Sequence, residues 1–359
     1  MTEPTVERSL ARSLAGVRRA LWAARRRLRR AVDASRATDA DRAASLHREL
    51  PPQPLAAERA TVTRVLFDRL GPEDVAAVEQ LVRETHGAWE HFFGSAETAE
   101  NHGLLLSVGM WLGADVVSER TGLVRGEPPE EVHAMSRGVL AAAGGLYEAD
   151  MVVDALISAG GEIEAVGSAL DFGCSSGRVL RALTAAYPGI RWHGCDPNAP
   201  AIEWARTNLP GASFFTSGNV PPLPLDDGSL DLAYAISIWS HFEPRRGLQW
   251  CEELARLLRP GGHLVMTTHG LTSVDYYLER GLRSVDQSRE IADALYTRGW
   301  WYRAEFGEQG DWGVVDPAWG TAFLSPEWLL TQLSPRWRVL EYAPGRNQDN
   351  QDVYVLQRV

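Results

Sequence analysis

From about residue 166 onward the chain alternates short apolar runs with amphipathic stretches at helical spacing, a rhythm that admits few folds. Runs at 168–172, 190–194, 212–215, 230–236 and 263–268 have the length of strands, and 177–187, 199–208 and 246–258 between them have the period of helices. Strand and helix in turn predict an α/β sandwich of three layers, with a mostly parallel sheet covered on both faces. Arg259-Pro260-Gly261-Gly262 ends the third helix and turns the chain into the fifth strand. Ser325-Pro326-Glu327 then offers an N-cap residue, a proline for the first helical position and an early acid, so a helix is predicted to about Leu333. Residues 337–342 and 352–357 read as two last strands, joined through the turn formers of 344–351, which brings the predicted sheet to seven strands.

What precedes this alternation is different in kind. Residues 56–163 read as helical, with apolar residues at helical intervals in Val75-Ala-Ala-Val-Glu-Gln-Leu-Val-Arg and again over 146–157. Pro51-Pro52-Gln53-Pro54 cannot continue a helix and marks a linker or sharp turn. Ahead of it, residues 1–50 hold 12 Arg against 6 acids, a net of +6, which leaves −17 for the rest of a chain whose total is −11. Leu14, Val17, Leu21 and Leu28 recur near a helical repeat among those arginines. A basic amphipathic helix within residues 10–36 would suit an anionic membrane surface or a partner helix. The other reading is a solvated, partly frayed leader, because neighbouring like charges weaken an isolated helix. The expected organisation is a basic leader (1–50), a helical region (51–163) of which part caps the ligand site, and an α/β domain (164–359) carrying an aromatic insert (271–320).

Composition removes several classes of function. An excess of acid over base argues against nucleic acid as a whole-surface partner. No stretch reaches the ~18 consecutive apolar residues of a membrane span, and no apolar signal core follows the N-terminal charges, so a cytoplasmic protein is expected. Cys174, Cys195 and Cys251 form no C-x-x-C pair, so neither a disulfide framework nor a metal site is expected.

The strongest local signal is Leu170-Asp171-Phe172-Gly173-Cys174-Ser175-Ser176-Gly177-Arg178, a strand entering a turn of small residues and then a helix. Small residues let a ligand approach the backbone, and the helix start offers free N–H groups. The alternative is a tight turn with no ligand. A dinucleotide fingerprint would read G-x-G-x-x-G. Here the glycines are spaced Gly173-x-x-x-Gly177, Ser175 stands where a middle glycine would, and Asp171 precedes the turn, where it would repel a pyrophosphate. Asp196 ends the second strand, 19 residues after Gly177, where a carboxylate can accept both hydroxyls of a ribose. That role fits a nicotinamide or an S-adenosylmethionine site equally.

Taken together, Asp171-x-Gly173-x-Ser175-x-Gly177, Asp196, the segment Pro221-Pro222-Leu223-Pro224-Leu225-Asp226-Asp227-Gly228-Ser229-Leu230-Asp231-Leu232-Ala233-Tyr234-Ala235-Ile236-Ser237 and Leu257-Leu258-Arg259-Pro260-Gly261-Gly262-His263-Leu264 resemble the class I S-adenosylmethionine-dependent methyltransferases. The likeness covers about residues 140–270. It implies a Rossmann-like fold whose last strand runs antiparallel, with S-adenosylmethionine as cofactor. It also implies that the turn of Asp171, Gly173, Cys174, Ser175 and Gly177 wraps the amino-acid end of the cofactor, that Asp196 holds the ribose, and that Ser217 or Asn219 faces the adenine. Ile236 and Ser237, closing the fourth strand, complete the expected set. Ser175 replaces the family's usual glycine, a small departure.

Methyl transfer from a sulfonium needs alignment above all, and a base if the acceptor is a hydroxyl. His241 and His269 follow the fourth and fifth strands, at the sheet end where open α/β folds bind ligands, and are the candidate bases; each has the alternative of a local packing role. The resemblance is to members found beside glycan and secondary-metabolite assembly enzymes, and it implies O-methylation of a small molecule or glycan. The insert holds Trp300, Trp301, Trp312, Trp319 and four tyrosines, with Glu305 and Asp311 nearby, and reads either as a lid for a sugar or aromatic ring or as the core of an added subdomain. Residues 135–150, with Arg137 and Tyr147, are placed by analogy over the other side of the cofactor. The rival readings are a catalytically silent methyltransferase-like scaffold and a nicotinamide oxidoreductase. A nucleic-acid methyltransferase would want a basic face and an Asn-Pro-Pro-Tyr-like motif where this chain reads Ile236-Ser237-Ile238-Trp239.

Overall fold

A computed structural model describes residues 61–86, 99–130, 132, 145–306, 315–333 and 335–359. All belong to the larger of two units into which the chain divides, Gln53–Val359. The expected leader, 1–50, with its helix within 10–36, lies outside the described residues.

Helices α1 (Thr61–Phe67), α2 (Pro72–His86), α3 (Ala99–Leu112), α4 (Asp115–Thr121) and α5 (Leu146–Ser158) form the N-terminal region. The alternation expected from the sequence follows: β1 (Ser168–Phe172), α6 (Leu180–Ala186), β2 (Arg191–Asp196), α7 (Ala199–Asn208), β3 (Ala212–Thr216), β4 (Leu230–Ala235), α8 (Pro244–Leu257) and β5 (Leu258–Thr268). The insert supplies α9 (Leu271–Glu279), α10 (Val285–Arg298), β6 (Trp300–Arg303) and β7 (Thr321–Leu324), and α11 (Pro326–Leu333), β8 (Trp337–Asn347) and β9 (Gln351–Arg358) complete the chain.

Seven strands make one sheet in the order β3-β2-β1-β4-β5-β9-β8. The first five are parallel, and β9 runs antiparallel between β5 and β8. This is the Rossmann-like sandwich that the resemblance implied. After β3 the chain returns past β1 to place β4 on its other side, so the carboxyl ends of β1 and β4 border the crevice at which open α/β sheets bind ligands. β1 is buried along its whole length, and so is nearly all of β4, as central parallel strands must be.

Local signals place several boundaries. Asn198 caps α7, its side chain accepting from the Ala201 N–H at 3.2 Å. Ser284 and Gln287 form a capping box at the start of α10. Several boundaries differ from expectation: α6 starts at Leu180, not 177, β8 runs to Asn347, not 342, and β5 begins at Leu258, not 263, because Leu258 already pairs with Leu230 and a register shift absorbs Arg259-Pro260-Gly261-Gly262 within the strand.

Two arginines tie the N-terminal helices to the β1–α6 unit. The Arg69 guanidinium donates to the carbonyls of Thr121 and Ala185 at 2.8 Å and of Ala186 at 3.0 Å, closing the end of α6. Arg178, just after the small-residue turn, pairs with Glu148 of α5 at 2.7 Å. Within the insert, Val274, Ile291, Ala294, Leu295, Trp301 and Phe323 form their own core.

Candidate active site

The turn after β1 is built by backbone. The N–H groups of Gly173 and Cys174 both donate to the Cys195 carbonyl, at 2.9 and 3.0 Å, which ties the ends of β1 and β2 together. Gly173 lies at φ +85°, and a Cβ there would come within 2.1 Å of Ile238 Cδ1, so this position needs glycine. Ser175, also at positive φ (48°), donates its N–H to Asp196 Oδ2 at 2.8 Å. Asp196 Oδ1 takes the N–H of Asn198 at 2.8 Å. Burial raises the Asp196 carboxyl to about 6, against the pull of those two backbone N–H groups. Burial likewise raises Asp171 to about 7; the Tyr234 hydroxyl and Arg178 oppose this, and Asp196 adds to it.

A cavity of about 790 Å³, counting the part open to solvent, lies at these strand ends. Gly173, Ser175, Asp196, Ser217, Asn219, Ile236, Ser237 and His241 all line it. Asp171, Cys174, Gly177 and His269 are not in its wall. Asp171 is buried in β1 beneath the turn, burial holds the Cys174 thiol protonated, and Gly177 packs against Leu209 and Phe214.

The two histidines occupy different surroundings. His241 Nδ1 lies 2.9 Å from the Gly320 carbonyl oxygen, which only accepts, so Nδ1 carries the proton and Nε2 the lone pair. Its ring stacks on Trp319, with centroids 4.6 Å apart and planes 13° apart. His269 is buried, with Nδ1 3.1 Å from the Ala322 carbonyl and Nε2 3.1 Å from the Tyr277 hydroxyl and 3.3 Å from Gln351 Nε2. Burial, with His241 and Arg283 adding to it, lowers His269 to about 3, so it stays neutral near pH 7. His241 thus borders the cavity, whereas His269 is held away from it among Ala322, Tyr277 and Gln351.

The insert divides between the two readings open for it. Trp301 is core, donating to Glu290 at 2.8 Å, and Glu305 is spent on Arg283 and Thr321. Trp319 and Asp316 instead line the cavity. Asp316 pairs with Arg246 at 2.8 Å, Arg246 also donates to the Asn219 carbonyl, and Asn219 Nδ2 reaches the Val315 carbonyl at 3.2 Å. The end of the insert is thus clasped to the loop after β3. Trp312, Asp311 and Arg137 lie outside the described residues. Tyr147 donates to the Arg346 carbonyl and accepts from the Gln348 N–H, both at 3.0 Å, so it braces the β8–β9 turn and is not in the cavity wall. Asp316 and Gln351 had no local signal in the sequence; only chain folding brings them here.

The residues present fit a nucleoside with a cationic amino-acid end. Ser175 Oγ and Asp171 Oδ2 are buried without a hydrogen-bond partner, one in the wall and one beneath the glycine turn. A buried, unpartnered hydroxyl in the wall calls for a polar ligand group, and Asp196 keeps lone pairs for a ribose diol.

Residues 170–266 match the methyltransferase domain family, and the strand order β3-β2-β1-β4-β5-β9-β8 with its antiparallel β9 is a Rossmann-like sheet. The chain is similar to an uncharacterized 37.1 kDa protein in a Streptomyces fradiae transposon, 37% identical over 143 residues (38% of this chain, 39% of the relative). It is also similar to the malonyl-[acyl-carrier protein] O-methyltransferase of Methylococcus capsulatus, 32% identical over 138 residues (36% and 46%). A third relative is a probable tRNA methyltransferase 9B of Bos taurus, 29% identical over 111 residues (31% and 23%). The chain spans less than half the length of these relatives.

Proposed function

We propose that this chain transfers the methyl group of S-adenosylmethionine to a hydroxyl oxygen of a small molecule or glycan, with His241 taking the proton. The observation that carries the reading is His241 itself: it lines the same cavity as Gly173, Ser175 and Asp196, with its tautomer set by the Gly320 carbonyl. In this reading the turn at Gly173 and Ser175 holds the amino-acid end of the cofactor, Asp196 takes the ribose hydroxyls, and Ser217 or Asn219 faces the adenine.

Bound S-adenosylmethionine supplies a methyl carbon already activated by its sulfonium. The protein therefore aligns the acceptor, and well-oriented pairs gain roughly 7–11 kcal/mol from positioning. His241 Nε2 would take the proton that the acceptor hydroxyl gives up on methylation. Trp319, stacked on His241, offers a flat apolar face to a sugar or aromatic ring. Among the described lining residues the acidic side chains are Asp196 and Asp316 and no Lys or Arg joins them, which favours a neutral acceptor over a carboxylate or phosphate.

Calorimetric titration of S-adenosylhomocysteine, with NADH as control ligand, tests the cofactor, and methyl transfer to a panel of phenols and sugars tests the acceptor. Micromolar binding that is lost in Asp196→Ala supports the reading. A folded protein that ignores S-adenosylhomocysteine overturns it, and one that binds the ligand yet methylates no hydroxyl is a scaffold instead.

A further inference from the structure

Ser237 follows β4 directly, lines the cavity and sits at φ +63°, a conformation that a residue with a Cβ holds only when its surroundings enforce it. Two contacts do so. Its N–H donates to Thr267 Oγ1 at 2.7 Å, and its hydroxyl lies 2.9 Å from Gln351 Oε1.

Gln351 is the buried first residue of β9 and collects four elements at one amide. Thr267 Oγ1 lies 2.7 Å from Gln351 Oε1, and Asn347 Nδ2 donates to the same oxygen at 3.2 Å. On the other side, Gln351 Nε2 is 3.3 Å from His269 Nε2.

The directions of these bonds follow from what each atom can do. Thr267 Oγ1 already accepts from the Ser237 N–H, so its proton goes to Gln351 Oε1. The amide nitrogen of Asn347 can only donate. Gln351 must therefore present its oxygen to Ser237 and its NH₂ to His269. His269 meets that donor with an unprotonated Nε2, which the Tyr277 hydroxyl also approaches at 3.1 Å, because its Nδ1 proton is held by the Ala322 carbonyl. This proton arrangement requires a neutral His269.

We propose that Gln351 is a positioning residue of the cofactor site, acting through Ser237. Its amide oxygen takes the only proton of the Ser237 hydroxyl, so toward the cavity Ser237 Oγ can only accept. His269, fixed as a neutral acceptor, keeps the amide from turning over. The β4 tip is thereby set to receive a hydrogen-bond donor such as an ammonium or hydroxyl group. This rests on the cofactor reading above, and its test separates the two.

The experiment is a double-mutant cycle on S-adenosylhomocysteine affinity, read by calorimetry in the full chain. Ser237→Ala and Gln351→Ala are each expected to weaken binding about tenfold, the scale of one hydrogen bond, and the double variant to be no weaker than the weaker single one. Gln351→Ala within twofold of wild type, or a double variant with multiplied losses, overturns the proposal. Should Gln351→Ala fail to fold, Gln351→Glu decides. A carboxylate beside His269 Nε2 draws a proton onto that ring, whose other charged and titratable neighbours are Tyr277, His241 and Arg283. The affinity ratio of Gln351→Glu to wild type should then fall as pH rises through the new His269 titration, followed by ¹⁵N NMR of the ring. A ratio independent of pH overturns the proposal. Wild-type protein that does not bind at all overturns the cofactor reading first, and this inference with it.

Discussion

His241 and Gly320 hold each other by two hydrogen bonds, the imidazole Nδ1 with the Gly320 carbonyl at 2.9 Å and the Gly320 N–H with the His241 carbonyl at 2.8 Å. The insert continues this pairing, with Glu243 N–H on the Ala318 carbonyl at 3.2 Å and Ala322 N–H on the Ser240 carbonyl at 2.8 Å. The loop bearing the proposed base is therefore backed by a strand of the insert, and the ring tautomer is set by backbone.

Replacing His241 by Gln removes the base without opening the wall. Turnover on an accepted hydroxyl should fall by roughly 10²–10⁴, the usual share of general-base catalysis. S-adenosylhomocysteine affinity should stay near that of wild type. A variant that keeps full turnover would remove His241 from the mechanism.

Gly173→Ala forces a Cβ to φ +85° and to 2.1 Å from Ile238 Cδ1. The strained backbone should cost about 1–3 kcal/mol in denaturant unfolding. Because Gly173 and Ile238 both line the cavity, S-adenosylhomocysteine binding should weaken along with stability.

Asp171 and Asp196, raised by burial to about 7 and about 6, give stability and binding opposite dependences on pH. Unfolded carboxyls titrate near ~3.9. Between about pH 4 and 7 the folded chain then binds more protons than the unfolded one, so ligand-free stability should fall as pH rises. Asp150, also raised to about 6 by burial, adds to that fall from outside the cavity. The ligand's ammonium group favours the ionised carboxylates, so its affinity should rise from pH 5 to 8. Thermal melting and calorimetry across that range check both signs. Asp150→Asn should flatten the first and leave the second unchanged.

Arg69→Met deletes the guanidinium that closes Thr121, Ala185 and Ala186. Three carbonyls left to water, one at the end of α4 and two at the end of α6, should cost on the order of 1–3 kcal/mol of stability. Cofactor affinity should not move, since none of these groups lines the cavity.

Much of this protein was legible from short stretches of sequence because short-range physics governs them. The expected β1, over 168–172, and α7, over 199–208, coincide with the folded elements, the latter started by its own Asn198 cap. The glycine turn and Asp196 are separated by one strand and one helix, so the αβ repeat alone carries them to the same sheet end. The β6–β7 pair was not read: its strands are four residues each, and their register depends on the core that Trp301 and Phe323 share.

The acceptor side of the cavity is another matter. Gln351 meets Ser237 across 114 residues, and His241 meets Gly320 across 79. Nothing in either local sequence encodes such a contact. The amino-acid sequence by itself determined the αβ alternation, the nucleoside-type turn and its acid, because periodicity, capping and glycine conformation are local. Only the tertiary structure decided which histidine lines the cavity, that Trp319 and Asp316 join it, and that Gln351 stands behind Ser237. Those contacts arise when the antiparallel β9 and the insert dock against the tips of β4 and β5, and docking satisfies hydrogen bonds that no single segment can complete alone.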